Sequence, residues 1–147
     1  MLENLKYRST CPVSSLLDII GDKWSLIIIR DLFLDKNTYS DFLKSDEGIA
    51  TNILVDRLKK LKTSGLILFH KKIGNKKTKY YYLTDKGIDL YPILCEMTLW
   101  SDKYLKFKKM HPLGIDLLNS INFKGIHKEI SDTVSDYQKR RQLLLSV

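Results

Sequence analysis

No aspartate or glutamate stands between Asp56 and Asp85. The same interval holds nine basic residues: Arg57, Lys59, Lys60, Lys62, Lys71, Lys72, Lys76, Lys77 and Lys79. A solvated surface usually mixes signs. A block of one sign marks either a merely soluble lysine face or a footprint for phosphate. The net charge of +8 over 147 residues thus lies mainly in one segment. It predicts a polyanionic partner, either nucleic acid or an anionic membrane surface.

Other absences narrow the choice. There are only two cysteines, Cys11 and Cys95, with no CxxC and no metal-type spacing. That excludes a disulfide framework and points to a reduced, cytoplasmic protein. The densest apolar run is "LIII" (Leu26–Ile29), far short of a membrane span. The first ten residues are polar, with no secretory apolar region, and are expected to be loose. His70, His111 and His127 are scattered, and there is no glycine-rich phosphate loop, no GxSxG and no paired acidic motif. An enzyme, a metal and a cofactor are therefore not expected. No internal repeat or low-complexity tract occurs.

What remains is an ordinary globular composition, 44% hydrophobic and 29% charged, suited to one compact domain. Pro12 opens a helix with Val13, Leu16, Leu17 and Ile20 on one stripe. After a break at Gly21-Asp22, "KWSLIIIRDLF" reads as a central helix. "TYSDFLKS" reads as a short helix capped by Thr38 or Ser40. "ATNILVDRLKKLKTSG" sets Leu54, Leu58 and Leu61 on one side and Asn52, Val55, Asp56, Lys59 and Thr63 on the other, with Gly65 as a left-handed end. Leu66–Ile73 and Lys79–Leu83 read as strands around a tip at Gly74–Thr78. Thr84 caps one long helix carrying Leu90, Ile93, Leu94, Met97, Trp100, Tyr104 and Phe107, kinked at Pro92. Residues after Met110 suggest one or two further helices.

The expected fold is mainly α with a small β-hairpin. A short helix, a tight turn, an amphipathic helix and a basic hairpin describe a helix-turn-helix with a wing. The second helix of such a pair docks by its apolar face and frees the other for the major groove of double-stranded DNA.

Individual residues carry alternatives. Asn52 can pair with adenine N6 and N7, or simply be solvated at the helix start. Thr51 can touch DNA or cap. Lys59 faces a phosphate, and Lys76 and Lys77 at the wing tip, beside Asn75, are the strongest phosphate ligands. Arg57 flanks the core and meets either DNA or a carboxylate such as Asp31 or Glu47. Asp56 can accept from cytosine N4 or orient a lysine. The three tyrosines Tyr80, Tyr81 and Tyr82 alternate in direction and read as structural. Trp24 and Trp100 read as core or interface anchors. The stripe around Trp100 also offers a seat for a small effector. Cys11 precedes a helix N-terminus, where the dipole favours thiolate, with Arg8 nearby in sequence. Cys95 reads as a small buried residue.

At this point "CPVSSLLDIIGDKWSLIIIRDLF", "YSDFLKSDEGIATNILVDRLKKLKTSGLI" and "YYYLTDKGIDLYPILCEMTLW" are similar to the HxlR family of bacterial winged-helix transcription regulators, relatives of the MarR group. The match spans about residues 11–104. Its ordered markers are Cys11-Pro12, Gly21-Asp22-Lys23-Trp24, Gly48 to Asn52, Arg57-Leu58, Leu83 to Gly87, Pro92 and Trp100. The resemblance implies a homodimer on a short inverted repeat near promoters. It implies a dimer contact built from the first helix and the long helix after the wing, here Val13, Leu16, Leu17, Leu94, Met97, Trp100 and Tyr104. It further implies sensing of thiol-reactive compounds or oxidants at Cys11, as in some members. Two departures stand out: Ala50 where many members carry Ser or Thr, and Tyr39 where Phe is usual.

The expected organisation is a DNA-binding and dimerisation domain over 11–107 and a helical extension of open role over 108–147. The rival function is a winged helix that binds an acidic protein partner. A near-neutral wing tip would have favoured it.

Overall fold

The computed structural model describes residues 6–147, so half of the polar lead-in expected over residues 1–10 lies outside the described residues. The elements run α1 (Pro12–Ile20), α2 (Ser25–Phe33), α3 (Tyr39–Leu43), α4 (Thr51–Thr63), β1 (Ile67–His70), β2 (Tyr80–Leu83), α5 (Asp85–Ile88), α6 (Tyr91–Tyr104), α7 (Pro112–Lys124) and α8 (Ile126–Leu145). This is a mainly helical fold with one two-stranded antiparallel hairpin.

Local chemistry sets the boundaries. Helix α2 starts at Ser25, two residues later than the apolar pattern suggests, because the Asp22 carboxylate accepts from the N–H groups of Trp24 (2.8 Å) and Ser25 (2.9 Å). Between the two expected caps of α3, Thr38 is the one used. Its hydroxyl accepts from the Asp41 N–H at 3.2 Å, and the Asp41 carboxylate accepts in return from the Thr38 N–H at 3.0 Å. Helix α4 is capped by Ala50 through backbone alone. Gly65, just past its end, takes φ +72°, a region costly for residues with a Cβ.

Two expectations are corrected. The strands are shorter than the β-rich runs, pairing only Ile67↔Leu83, Leu68↔Tyr82, Phe69↔Tyr81 and His70↔Tyr80. In this register the next pair would set Lys71 opposite Lys79, and like charges directly opposite destabilise a ladder. The segment 71–79 is therefore a loop. The long kinked helix is in fact two helices. Proline lacks an N–H and its ring clashes with a preceding carbonyl, so it suits a first turn and not an interior. Helix α5 stops at Ile88, Leu90 caps α6, and Pro92 sits in the first turn of α6. Phe107 falls beyond the end of α6.

The core gathers Ile28, Ile29 and Leu32 of α2, Phe42 of α3, Leu54, Leu58 and Leu61 of α4, Ile67 and Leu83 of the hairpin, and Cys95 of α6. Truncating a fully buried leucine such as Leu54 costs about 2–5 kcal/mol in a core of this kind. Ile121 of α7 and Tyr137 of α8 enter the same cluster, so residues 112–145 pack on the core. The two last helices are separated at Gly125, where φ is +84°.

Among the described residues two carboxylates lie inside. Asp31 is 1% exposed; it accepts from Arg30 and from the Ser45 hydroxyl. Glu129 is buried between α6, α7 and α8 and accepts from Tyr91 (2.9 Å), Thr133 (2.8 Å) and the Ser120 hydroxyl. Burial pushes its acidity down, but those donors together with Lys124 outweigh burial and hold the carboxyl below its ordinary value.

Candidate nucleic-acid interface

Helix α4 docks through Leu54, Leu58 and Leu61. With that face consumed, Thr51, Asn52, Val55, Asp56, Lys59 and Thr63 are all exposed, as the helical period requires. Helix α3 holds the start of α4 in place. Phe42 is buried beneath the pair, and the Tyr39 hydroxyl donates to the Thr51 carbonyl at 3.5 Å.

The hairpin brings its basic loop beside α4. A cleft of about 640 Å³ opens between them, lined by Val55, Leu58, Lys59 and Lys62 of α4 and by Phe69, Lys77, Lys79 and Tyr81 of the hairpin. Its rim is lysine and its floor is apolar. The ammonium groups of Lys62 and Lys79 lie over the Phe69 ring at 4.9 and 4.7 Å. The ring attracts each cation through its negative π face and so gathers both lysines on one side chain. Lys59, Lys62, Lys71, Lys76, Lys77 and Lys79 form no ion pair among the described residues.

The sequence marks Lys62 and Lys79 only as members of the basic block, not as phosphate ligands. Lys62 lies three residues after Lys59, on nearly the same side of α4, and that spacing was the available signal. Nothing in the sequence shows that Phe69 gathers the two.

Lys76 and Lys77 stand exposed at the wing tip. Asn75 beside them has its amide engaged within the turn. Its Oδ1 accepts from the Thr78 N–H and its Nδ2 donates to the Thr78 hydroxyl, both at 3.2 Å. Arg57 is turned inward. Its guanidinium lies 3.1 Å from Asp22 and 2.9 Å from Asp56. The carboxylates expected for it, Asp31 and Glu47, are held by Arg30 instead. Arg30 depresses Glu47 to about 2, chiefly through their hydrogen bonds. Asp56 also meets Lys60 at 3.3 Å, so it orients basic neighbours on its own helix.

The pair Asp22–Arg57 ties the α1–α2 junction to α4. Burial works against the Asp22 charge, but hydrogen bonds from Ser25 and Trp24 and the Arg57 charge lower its pKa overall.

Val13 and Leu17 of α1 are 69% and 51% exposed, and Met97, Trp100 and Tyr104 of α6 are 50%, 58% and 58% exposed. Leu16 and Leu94, expected with them, pack partly into the core. A shallow groove on α6 is lined by Pro92, Ile93, Met97 and Trp100. Trp24 packs against the core.

Cys11 is exposed and is the N-cap residue of α1. Arg8 is not turned toward it; its guanidinium pairs with Asp18. Cys95 is buried, and burial pushes its thiol up to about 11. No helix among the described residues is long and apolar enough to cross a membrane.

Comparison with known proteins places this geometry. The uncharacterized HTH-type transcriptional regulator YdeP of Bacillus subtilis is 33% identical over 96 residues, covering 64% of this chain and 73% of YdeP. The crystal structure of PA1607 superposes with a TM-score of 0.64 at 36% identity, covering 71% of this chain and 72% of that one. The redox regulator HypR in its oxidized form gives a TM-score of 0.59 at 28% identity, covering 66% of this chain and 100% of HypR. The profile of the HxlR-like helix-turn-helix family matches residues 19–109. This chain therefore belongs to the HxlR-like helix-turn-helix family and is a transcriptional regulator built on a winged helix.

Proposed function

We propose that the chain binds double-stranded DNA sequence-specifically, as a cytoplasmic homodimer on an inverted repeat. The observation that carries this reading is the cleft between α4 and the wing, rimmed by four lysines without acidic partners. In this reading α4 enters the major groove and one phosphate strand runs through the cleft. Lys59, Lys62, Lys77 and Lys79 meet phosphates there, and Lys76 extends the contact at the tip. Thr51 and Asn52, first on the exposed face, reach base edges or the nearest phosphate. Asn75 shapes the tip, and Arg57 holds the angle of α4 through Asp22. Residues 11–107 carry DNA binding and dimerisation, and residues 108–147 form the extension. The apolar face of α1 and α6 meets a second copy, and the groove on α6 offers room for a small effector.

The test is fluorescence anisotropy of the reduced protein on DNA from upstream of its own gene, at two salt concentrations, against a scrambled duplex. Counterion release predicts a steep linear fall of log K with log salt, and preference for the native sequence. Absence of binding at low salt overturns the reading in favour of an acidic protein partner.

Cys11 is the signal-receiving thiol in this proposal. Its exposure at a helix start and the likeness to a redox regulator support it, and Cys95 is too buried for the role. Oxidant or a thiol-reactive electrophile then releases the wild-type protein from DNA and leaves Cys11→Ser bound. Equal release of both proteins removes Cys11 from the mechanism.

A further inference from the structure

The outer edge of β2 is closed in an unusual way. At its start, the Tyr81 N–H donates to the Asn37 carbonyl at 2.7 Å, as if a third strand began there. That strand does not continue. At Leu83, the next residue facing the same edge, both backbone groups are taken by side chains of α8. The Leu83 N–H donates to the Tyr137 hydroxyl at 2.9 Å, and Arg141 Nη1 donates to the Leu83 carbonyl at 2.9 Å. Arg141 Nη2 reaches Asp85 at 2.7 Å. Farther along, the Val147 carbonyl accepts from the N–H of Ile73 in the wing loop at 3.1 Å.

The other end of α8 is fixed independently. Glu129, near the helix start, accepts from Tyr91 of α6 at 2.9 Å, while at the wing end Arg140 donates to the Phe33 carbonyl at the end of α2 at 3.1 Å. Tyr137 also packs its ring on Phe33, with centroids 5.1 Å apart. A single helix thus spans from α6 to the base and the loop of the wing. A hydrogen-bonded, packed helix of this kind transmits position rather than flexing.

We propose that α8 sets the position of the wing for DNA, with Tyr137 and Arg141 as positioning residues. The proposal rests on the DNA-binding reading for its functional consequence, and its mechanical half is independent of DNA. Tyr137 and Arg141 touch no phosphate in this scheme; they act through Leu83 and the hairpin. Without them the lysines at the tip keep their charge and lose their place.

The experiment compares wild type with Tyr137→Phe/Arg141→Gln, each alone and in a Lys76→Ala/Lys77→Ala background. Tyr137→Phe keeps the ring and removes only the oxygen that accepts from Leu83. Amide hydrogen exchange is read across residues 71–83 and across α4. Exchange in 71–83 should accelerate about tenfold while α4 stays protected. DNA affinity should fall roughly tenfold with a shallower salt slope. In the lysine-deficient background the same changes should add clearly less, because the tip contacts they position are gone and Lys79 alone of the wing's phosphate ligands remains.

Unchanged exchange across 71–83 overturns the mechanical coupling. Losses that add fully to those of the lysine variants overturn the route through the wing. A wild type that binds no DNA overturns the reading beneath the functional half, while exchange alone still decides whether α8 holds the wing. Where the buried change at Tyr137 costs the fold, Arg141→Gln alone carries the same comparison, since that side chain is 20% exposed.

Discussion

The lysines of α4 and the wing and the apolar side chains of α1 and α6 are both exposed, for opposite physical reasons. Lysines are ordinarily solvated, so their exposure is unremarkable one at a time; what is informative is that Lys59, Lys62, Lys77 and Lys79 converge on one cleft with no carboxylate among them. Trp100, Tyr104, Met97 and Leu17 are each about half exposed, and their burial would be favourable by about 25 cal/mol per Å². One face gains by meeting fixed negative charge and the other by leaving water. The difference teaches that exposure alone identifies neither; the chemistry of the neighbours does.

The comparison breaks most visibly at α6. Trp100→Asp places a charge where the second copy is proposed to sit. The protein should sediment as a monomer, and affinity for an inverted repeat should fall on the order of a hundredfold or more, with a single half-site little affected. A variant that stays dimeric removes the interface from α6. On the lysine face, Lys76→Ala with Lys77→Ala should weaken binding to every duplex and reduce the log–log salt slope by about 2. An unaltered slope places the phosphates elsewhere. Asn52→Ala is subtler: overall affinity changes less, and preference at a single base position relaxes by about 1–3 kcal/mol. Competition among single-substitution duplexes reads this directly, and an unchanged preference profile means that another side chain reads the base.

The smallest effect separates both faces from the scaffold beneath them. Arg30 holds Glu47 at about 2, below its ordinary 4.5. A depressed carboxylate contributes stability that is present above the ordinary value and lost as pH falls toward the folded one. Urea midpoints should therefore decline across that window in wild type and decline less in Glu47→Gln. Equal declines in the two proteins assign acid sensitivity to other carboxylates, such as Glu129 or Asp22.

Much of this was legible along the chain. Leu54, Leu58 and Leu61 at helical spacing announce which side of α4 is buried, and hence which side faces out. Thr38 and Ser40 announce a cap for α3 without choosing between them, and Gly65 a left-handed stop. Pro92 was legible too, but its meaning was not. A proline in a long apolar pattern predicts a kinked helix, and only the folded chain shows that it breaks before Pro92, which then sits in the first turn of α6. Arg57 shows the same limit. Its flanking position leaves DNA and a carboxylate such as Asp31 or Glu47 equally open, while its pairing with Asp22 depends on how α1, α2 and α4 meet.

The sequence alone settled the order of elements from α1 through the hairpin, the buried stripe of α4 and the one-sign charge of α4 and the wing, because periodicity, capping and composition act over a few neighbouring residues. Only the tertiary structure decided where the hairpin ladder stops, which lysines share Phe69, which acid pairs with which arginine, and that Tyr137 and Arg141 close the edge of β2. Those contacts join residues far apart in the chain, and their partners are chosen by distance and orientation in the folded core, which no local pattern encodes.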